Sequence, residues 1–318
     1  MSEYPQQPLD FSALRTVSLK SRGGKVSIKD FARPYTKGAG FQRWVENLPR
    51  LLAGEGFRLL VEALLAARAQ GKPVIWGLGG HVIKCGLAPV LIDLMERGYA
   101  TAFALNGAAA IHDFEIALAG STSEDVAAAL PDGSFGTAEE TGREMNAAMQ
   151  QALRDGIGLG EALGRRLEAI AEPASAGYSL LLAAWRRRVP VTVHVAVGAD
   201  TIHTHPNADG AALGASSHHD FRLFCALVAA LNHGGVYLNV GSAVILPEVF
   251  LKAVSVVRNL GRRLEEFTTA NLDFLAHYRP RVNVLERPHT RAGGRGIALI
   301  GHHELMLPLL AAALIERG

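Results

Sequence analysis

The chain has 318 residues, of which 49% are hydrophobic and 19% charged, so we expect an extensive core rather than a disordered chain. A formal net charge of +2 gives no general electrostatic attraction to nucleic acid or anionic lipid, so nucleic-acid-binding classes are excluded. The two cysteines, Cys85 and Cys225, lie in apolar segments without CxxC spacing. This pattern gives a disulfide framework or a cysteine zinc site no support and fits a reducing cytoplasm.

The amino-terminal region is polar and lacks the apolar core of a signal peptide. Elsewhere charged residues interrupt every apolar stretch before it reaches the roughly 18 residues of a membrane span. We therefore expect a cytoplasmic protein without a membrane partner. Residues 1–41 are rich in Gly, Pro, Lys and Arg, which predicts an extended arm of the kind that packs on a neighbouring subunit. Residues 42–318 are predicted to form a single α/β domain of the nucleotide-binding type.

Apolar spacing predicts helices between residues 41 and 71, followed by a strand at 73–78, a helix at 82–97 and a strand at 101–105. The same alternation continues to the last helix. Further strands are predicted at 191–197, 236–240, 266–269 and 297–300, and further helices at 179–188, 220–232, 247–260 and 304–317. Strands separated by helices predict an α/β fold with a doubly wound, mostly parallel sheet and helices on both faces.

The segment GLGGHVIKCG, residues 77–86, follows the first strand and opens a helix. Its glycines would let backbone amides approach a phosphate at the start of that helix. The pattern G-x-G-x-x-G is incomplete because Val82 replaces the third glycine, so the general dinucleotide fingerprint is weak here. An anionic ligand at this turn is the prediction that the segment supports.

Three later segments also place polar or small residues at strand ends, where open α/β sheets bind their ligands. In NGAAAIHDFEIALAG, the candidates are His112, Asp113 and Glu115, whose joint position beside His81 favours a site. Taken singly, Asn106 and Asp113 fit helix caps and Glu115 fits a solvated residue. NVGSAVILPE places Gly241 and Ser242 before a helix. In VPVTVHVAVGADTIHTHPNADG, residues 189–210, four ionisable residues either bind a metal ion or belong to a polar loop: His194, Asp200, His203 and His205.

Taken in order, GLGGHVIKCG, NGAAAIHDFE, VPVTVHVAVGAD, NVGSAVILPE and HHELMLPLLAAAL resemble the deoxyhypusine synthase family from about Gly71 onward. The resemblance implies a doubly wound NAD-binding domain, a small-molecule substrate and a homotetramer with sites between subunits. Carried over position by position, it implies cofactor contacts from a first turn, a second turn and an aspartate: Gly79, Gly80, His81 and Lys84; Asn106, Gly107, His112 and Asp113; and Asp200. Gly241 and Ser242, between the next strand and its helix, are predicted to line the same crevice and complete the cofactor-binding set.

The chain departs from the family at two points. The family has two consecutive acidic residues where this chain has His112 and Asp113, which removes one negative charge from the expected amine site. The family forms an imine through a lysine near its carboxyl terminus, but residues 253–318 contain no lysine. Arginine stays protonated and cannot form an imine, so this step of the family's chemistry does not transfer.

Three functional hypotheses follow. The first is an NAD-dependent enzyme that oxidises a small amine, polyamine or amino acid, or transfers its aminoalkyl group, and does not act on a protein lysine. His112, Asp113 and His194 are its predicted catalytic residues, since histidine titrates near neutral pH. The second is a metal-dependent hydrolase or lyase that uses His194, Asp200, His203 and His205. The third is a non-catalytic NAD-binding protein.

Overall fold

The computed structural model describes residues 3–290 and 293–318, and within them six strands form one fully parallel sheet. Five strands are buried almost throughout and β6 at the edge is partly exposed, as expected for a parallel sheet covered by helices. This confirms the predicted α/β fold. The strands are β1 (Val74–Leu78), β2 (Ala102–Asn106), β3 (Val191–His194), β4 (Val236–Val240), β5 (Thr268–Asp273) and β6 (Arg295–Ile300).

The order of the strands is β3-β2-β1-β4-β5-β6. The direction in which the chain adds strands therefore reverses between β1 and β4. Leu78 pairs with Leu105 of β2 and Val240 of β4, so these three strands end level with one another. In open parallel sheets ligands bind outside the carboxyl ends of the strands at such a reversal, and this edge is therefore the place to look for a site.

Helices cover both faces of the sheet. In chain order they are α1 (Gly40–Glu46), α2 (Leu52–Ala69), α3 (Gly80–Lys84), α4 (Ala88–Glu96), α5 (Gly107–Ala119), α6 (Val126–Ala129), α7 (Glu139–Asp155), α8 (Leu159–Ile170), α9 (Leu180–Arg187), α10 (Gly210–Ala229), α11 (Ile245–Asn259), α12 (Tyr278–Pro280) and α13 (His303–Arg317). None of the described helices is long and apolar enough to cross a bilayer.

Alternate residues of β1 enter two separate cores. Trp76 belongs to the core shared with α2, α4, α5 and α13, whereas Ile75 belongs to the core shared with α10 and α11. The indole of Trp76 is fully buried and donates to the backbone oxygen of Tyr99 at 2.9 Å, so its polar atom is satisfied. The two cores therefore pack against the sheet from both sides.

Several predicted boundaries differ from the structure. The single helix predicted at 82–97 is two helices, α3 and α4, because Gly86 adopts a left-handed φ of 73° and Pro89 begins a new helix. Helix α10 starts ten residues before the predicted position, where the Asp209 carboxylate accepts from the amides of Ala211 and Ala212. The strand predicted at 266–269 runs instead from 268 to 273.

Residues 3–39 are exposed with the exception of Asp30, and the helical turn within them is the 3₁₀ turn Ile28–Asp30. The division into an arm and a single domain, and the packing of the arm on another subunit, stay predictions. Helix α7, which follows α6, packs on α8 and α10 and forms one wall of a cavity described below.

Candidate functional site

The turn after β1 touches the turn after β4. The amide of Gly79 donates to the backbone oxygen of Val240 at 2.9 Å. A Cβ atom at Gly79 would lie 1.9 Å from the backbone oxygen of Gly241, and one at Gly241 would lie 2.8 Å from Nε2 of His303. Only glycine fits at these two positions, so the structure brings together two of the predicted cofactor-binding turns at the strand reversal.

The turn between β2 and α5 forms the next part of this edge. The side-chain oxygen of Asn106 caps α5 by accepting from the amide of Ala109 at 2.9 Å. A Cβ atom at Gly107 would lie 2.0 Å from a carboxylate oxygen of Asp200, so this carboxylate rests on the first turn of α5. Burial raises the pKa of Asp200 even though its carboxylate accepts from the amide of Ala196.

A cavity of about 960 Å³ opens beside these turns, between α5, α7 and the segment that joins them. Among the described residues, six carboxylates and two cationic side chains, Lys84 and Arg143, line it. The cavity is therefore suited to a cationic ligand of small-molecule size. The six carboxylates are those of Glu115, Glu124, Glu140, Glu144, Glu172 and Asp200.

These carboxylates differ in how far they are already engaged. Glu144 forms ion pairs with Arg143 and Arg166, and Glu115 accepts hydrogen bonds from two threonines. Glu140 and Glu172 have no side-chain hydrogen bond or ion pair within residues 3–290 and 293–318. Their charges are free for an incoming ligand.

His112 lies on the border between the glycine turn and the cavity. A Cβ atom at Gly80 would lie 3.2 Å from Cδ2 of His112, and the His112 ring also lines the cavity. Its Nδ1 lies 2.7 Å from the Thr122 hydroxyl, and that hydroxyl also contacts Glu115. Of the three predicted catalytic residues, His112 is therefore the one that lies beside both the glycine turn and the cavity.

Glu115 is held as an anion beside this histidine. Its partial burial opposes ionisation, but the imidazole of His112 and the hydroxyls of Thr122 and Thr141 outweigh burial and lower its pKa. Nδ1 of His112 lies 3.9 Å from Oε2 of Glu115. A protonated His112 would therefore be stabilised by a nearby negative charge.

Asp113 points away from the cavity and is fully buried. Its carboxylate accepts from the Ser179 hydroxyl at 2.6 Å and from the amides of Leu180 and Leu181 at 2.7 and 2.9 Å, which caps α9. Burial raises its pKa to about 6, while the three hydrogen bonds act in the opposite direction. These bonds give Asp113 a structural role in place of the predicted catalytic one.

His194 is likewise part of the interior. Its ring packs on Phe224, with the ring centroids 5.2 Å apart, and its Nε2 lies 3.0 Å from the Thr192 hydroxyl. Burial lowers the pKa of His194 to about 3, so the ring is neutral at physiological pH. It does not line the cavity, and this placement separates it from any proton transfer there.

The proposed metal ligands do not converge. Nε2 of His203 lies 4.0 Å from Oδ2 of Asp200. Nε2 of His205 instead lies 3.2 Å from Oε2 of Glu139, and Nε2 of His194 contacts the Thr192 hydroxyl. Among the described residues, no group of three His, Cys, Asp or Glu side chains is arranged to hold a metal ion. The metal-dependent hydrolase hypothesis therefore lacks its ligand set.

On the other side of the strand reversal, imidazoles and a phenyl ring gather around the end of β5. The ring of His81 lies 5.8 Å from that of Phe274 and 5.9 Å from that of His303. His303 is buried, and neither of its ring nitrogens has a hydrogen-bond partner within the described residues. A buried polar group without a partner is costly, so this corner fits a bound ligand that supplies one.

Sequence reasoning named His112 and Glu115 as candidates, and their spacing of three residues in a helix is the signal that they share a face. It missed the groups that tertiary packing adds to them. Nothing in the local sequence marks Thr122, Thr141 or Glu172, because tertiary packing alone brings them to α5. Ser242 was predicted to contact a cofactor, and its hydroxyl accepts from the amide of Leu246 at 3.2 Å, at the start of α11.

Comparison with known proteins finds likeness in structure alone: no family model and no curated protein matches the sequence. Unliganded AgrE matches with a TM-score of 0.54 and 14% identity, over 89% of this chain and 34% of that one. AgrE in complex with ornithine and NAD⁺ matches at 0.52 and 16%, over 83% and 34%. An Entamoeba histolytica protein assigned as a deoxyhypusine synthase matches at 0.50 and 10%, over 90% and 96%.

These comparisons establish the fold, which is the α/β fold of AgrE and of the Entamoeba histolytica protein and is deoxyhypusine synthase-like. The resemblance inferred from the ordered motifs is therefore confirmed at the level of the fold, as a distant relationship. The chain spans about a third of the length of the AgrE structures that it matches. Activity, substrate and assembly are taken up below as proposals.

Proposed function

We propose that this protein is an NAD-binding enzyme that oxidises a small cationic amine or amino acid. One observation carries the proposal: an acidic cavity opens directly beside the glycine turns at the strand reversal, with His112 on the common border. A cofactor at the turns and a cation in the cavity would meet at that histidine. The location agrees with the general position of ligands in open α/β sheets.

The residues at the edge of the sheet fit a dinucleotide. Gly79 and Gly241 let the turns after β1 and β4 pack against each other, which brings two loops of backbone amides to the strand reversal. A dinucleotide bound there would supply the nitrogens of His303 with a hydrogen-bond partner. The first turn of α5, with Asn106 and Gly107, would bind next to them. When bound, NAD⁺ supplies an acceptor for the hydride that leaves the carbon next to the amine nitrogen.

The substrate class follows from the charge of the cavity. Glu140, at the start of α7, and Glu172, after α8, line the cavity with carboxylates that have no partner among the described residues. Lys84 is an exposed cation at the end of α3 that lines the cavity, and it would pair with a substrate carboxylate. A basic amino acid satisfies both requirements, and ornithine, which AgrE binds together with NAD⁺, is the first candidate.

His112 would serve as the base that takes a proton from the substrate ammonium. Oxidation then converts the amine and NAD⁺ to an imine, NADH and a proton. Asp113 and His194 are excluded from this role by their buried, structural positions. Residues 253–318 contain no lysine, so the proposal includes neither an enzyme-linked imine nor transfer to a protein lysine.

Two further expectations rest on the family resemblance and stay proposals. One is assembly as a homotetramer, which the exposed apolar side chains of residues 3–40 favour because they have no cover in the single chain. The other is a cytoplasmic location.

The test combines binding with turnover. We expect calorimetry to detect NAD⁺ binding, and absorbance to report NADH formation with at least one of L-ornithine, L-arginine, putrescine or spermidine. His112→Gln should lower kcat by about 100-fold, the size of a lost general base, and leave NAD⁺ affinity unchanged. The matched control is His233→Gln, since His233 is exposed and contacts Glu266 away from the cavity.

Each negative result has a distinct meaning. Absence of binding at millimolar NAD⁺ contradicts the whole proposal. Binding without turnover of any of the four amines supports the non-catalytic NAD-binding alternative, which the missing lysine favours.

A further inference from the structure

The hydroxyl of Thr122 lies between an imidazole and a carboxylate. Its Oγ1 is 2.7 Å from Nδ1 of His112 and also contacts Oε2 of Glu115. The hydroxyl of Thr141 contacts the other oxygen, Oε1, of the same carboxylate at 3.2 Å. A single histidine is thereby linked through a threonine to a carboxylate that two hydroxyls hold in place.

The direction of these hydrogen bonds follows from the number of available protons. An ionised carboxylate can only accept, so the single hydroxyl proton of Thr122 goes to Glu115. The contact between Thr122 and His112 must then be donated by the ring, which requires a hydrogen on Nδ1. In a neutral imidazole the other nitrogen, Nε2, is left unprotonated.

Nε2 is also the nitrogen that remains available. It has no hydrogen-bond partner among the described residues, while the ring as a whole lines the cavity and its adjacent Cδ2 faces Gly80. A proton acceptor is therefore directed at the border between the glycine turn and the cavity. The alternative tautomer would place a donor there, which could not remove a proton from a substrate.

We propose that Thr122 and Glu115 are positioning residues that hold neutral His112 with its proton on Nδ1 and its Nε2 free to act as a base. The use of that base in amine oxidation rests on the proposed function, whereas the tautomer itself does not. This is the arrangement by which a carboxylate orients a catalytic histidine, here with a hydroxyl inserted between the two. The carboxylate also stabilises the ring once Nε2 has taken up a proton, because Nδ1 and Oε2 are 3.9 Å apart.

The tautomer is measurable without cofactor or substrate. In full-length protein labelled with ¹⁵N-histidine, the ring nitrogen shifts separate a protonated nitrogen from an unprotonated one. The signals of His112 among the 12 histidines are identified by their loss in His112→Gln. We expect the neutral imidazole of His112 in the unmodified protein to carry its proton on Nδ1.

Three variants test the link. Thr122→Val keeps the shape of the side chain and removes the hydroxyl, so we expect the proton to move to Nε2 in a large fraction of molecules. Thr122→Ser should restore the original tautomer. The control is Thr201→Val, because Thr201 lines the same cavity and is similarly half-buried but touches neither His112 nor Glu115. It should leave the spectrum of His112 unchanged.

An Nε2-protonated His112 in the unmodified protein, or the same spectrum in Thr122→Val, overturns the proposal. If turnover is found, Thr122→Val should lower kcat by about tenfold with KM nearly unchanged, a fraction of the full general-base contribution. If no turnover is found but the Nδ1-protonated form is seen and depends on Thr122, the proposed oxidation fails while the positioning of His112 stands. The two failures are thus distinguishable.

Discussion

Helix α5 carries two carboxylates, two residues apart, that lie in opposite environments. Asp113 is buried against α9 and holds three hydrogen bonds that cap that helix, whereas Glu115 faces the cavity and holds two threonine hydroxyls. Each residue of an α-helix advances about 100°, so positions 113 and 115 point to nearly opposite sides. The comparison separates a structural side of α5 from a side that is available for chemistry.

The same geometry explains why His112 belongs with Glu115. Three residues along a helix bring the direction back to within about 60°, so both side chains share the cavity face. One helix can therefore support the fold with one face and present a histidine and its carboxylate with the other. A cluster of ionisable residues in sequence is for this reason not yet a cluster in space.

The largest effect that would test this separation is on stability. Asp113→Ala removes the acceptor of two buried amides and one buried hydroxyl, and we expect a loss of about 3 kcal/mol in the free energy of unfolding. Urea unfolding followed by circular dichroism measures it. The matched variant is Glu115→Ala, whose threonine partners can turn to water in the cavity, with an expected loss of about 1 kcal/mol or less. Equal losses in both variants would contradict the comparison.

The two carboxylates should also differ in how their contributions depend on pH. Burial raises the pKa of Asp113 from 3.8 to about 6, so its contribution to stability is complete below pH 3.8 and is lost as the pH rises through 6. The pKa of Glu115 is lowered from 4.5, the hydrogen bonds outweighing its burial. Its contribution is therefore present above pH 4.5 and is lost as the pH falls through the lowered value.

We expect the difference in the free energy of unfolding between the unmodified protein and Asp113→Asn to shrink as the pH rises from 4 to 6. The corresponding difference for Glu115→Gln should shrink only as the pH falls below 4.5. Differences between protein and variant are the quantity to measure by urea unfolding, because other buried groups titrate as well: burial raises the pKa of Asp220 to about 7 and lowers that of His194 to about 3. If both differences changed with pH in the same direction, the raised pKa of Asp113 and the lowered pKa of Glu115 could not both be right.

The fold was open to prediction from sequence because its signals are local. Short apolar strands alternate with helices along the chain, and this alternation predicts the parallel sheet without knowledge of any distant contact. The boundary errors have local causes too, such as the left-handed Gly86 that divides α3 from α4. Where the chain folds back on itself, as at the contact between Gly79 and Gly241, sequence supplied the glycines but not the contact.

The candidate site was less predictable for the same reason. Hydrophobic period and motif order pointed to His112, but they gave equal weight to Asp113 and His194, since no sequence pattern says which face α9 or α10 will cover. The cavity wall contributed by Thr141 and Glu172 comes from residues 26 or more positions away from Glu115. Such groups become visible only when packing has placed them.

The smallest expected effect concerns the free charges of the cavity. Glu140 and Glu172 are exposed carboxylates without partners among the described residues, in contrast to Asp113, which is fully engaged. Glu140→Gln and Glu172→Gln should each raise KM for a cationic amine by about threefold and leave kcat unchanged, since exposed charge pairs contribute 1 kcal/mol or less. Calorimetry with ornithine gives the same comparison for binding.

The control for this effect is Glu168→Gln, four residues before Glu172, because Glu168 is paired with Arg186 and does not line the cavity. It should leave KM unchanged. Raising the ionic strength should reduce the effect of the two cavity variants, because salt screens exposed charges. An increase in KM that is equal for Glu168→Gln, or that persists at high salt, would mean that net charge or local structure is responsible. An increase confined to the cavity variants at low salt would show that the cation binds in the cavity that the Glu115 side of α5 faces.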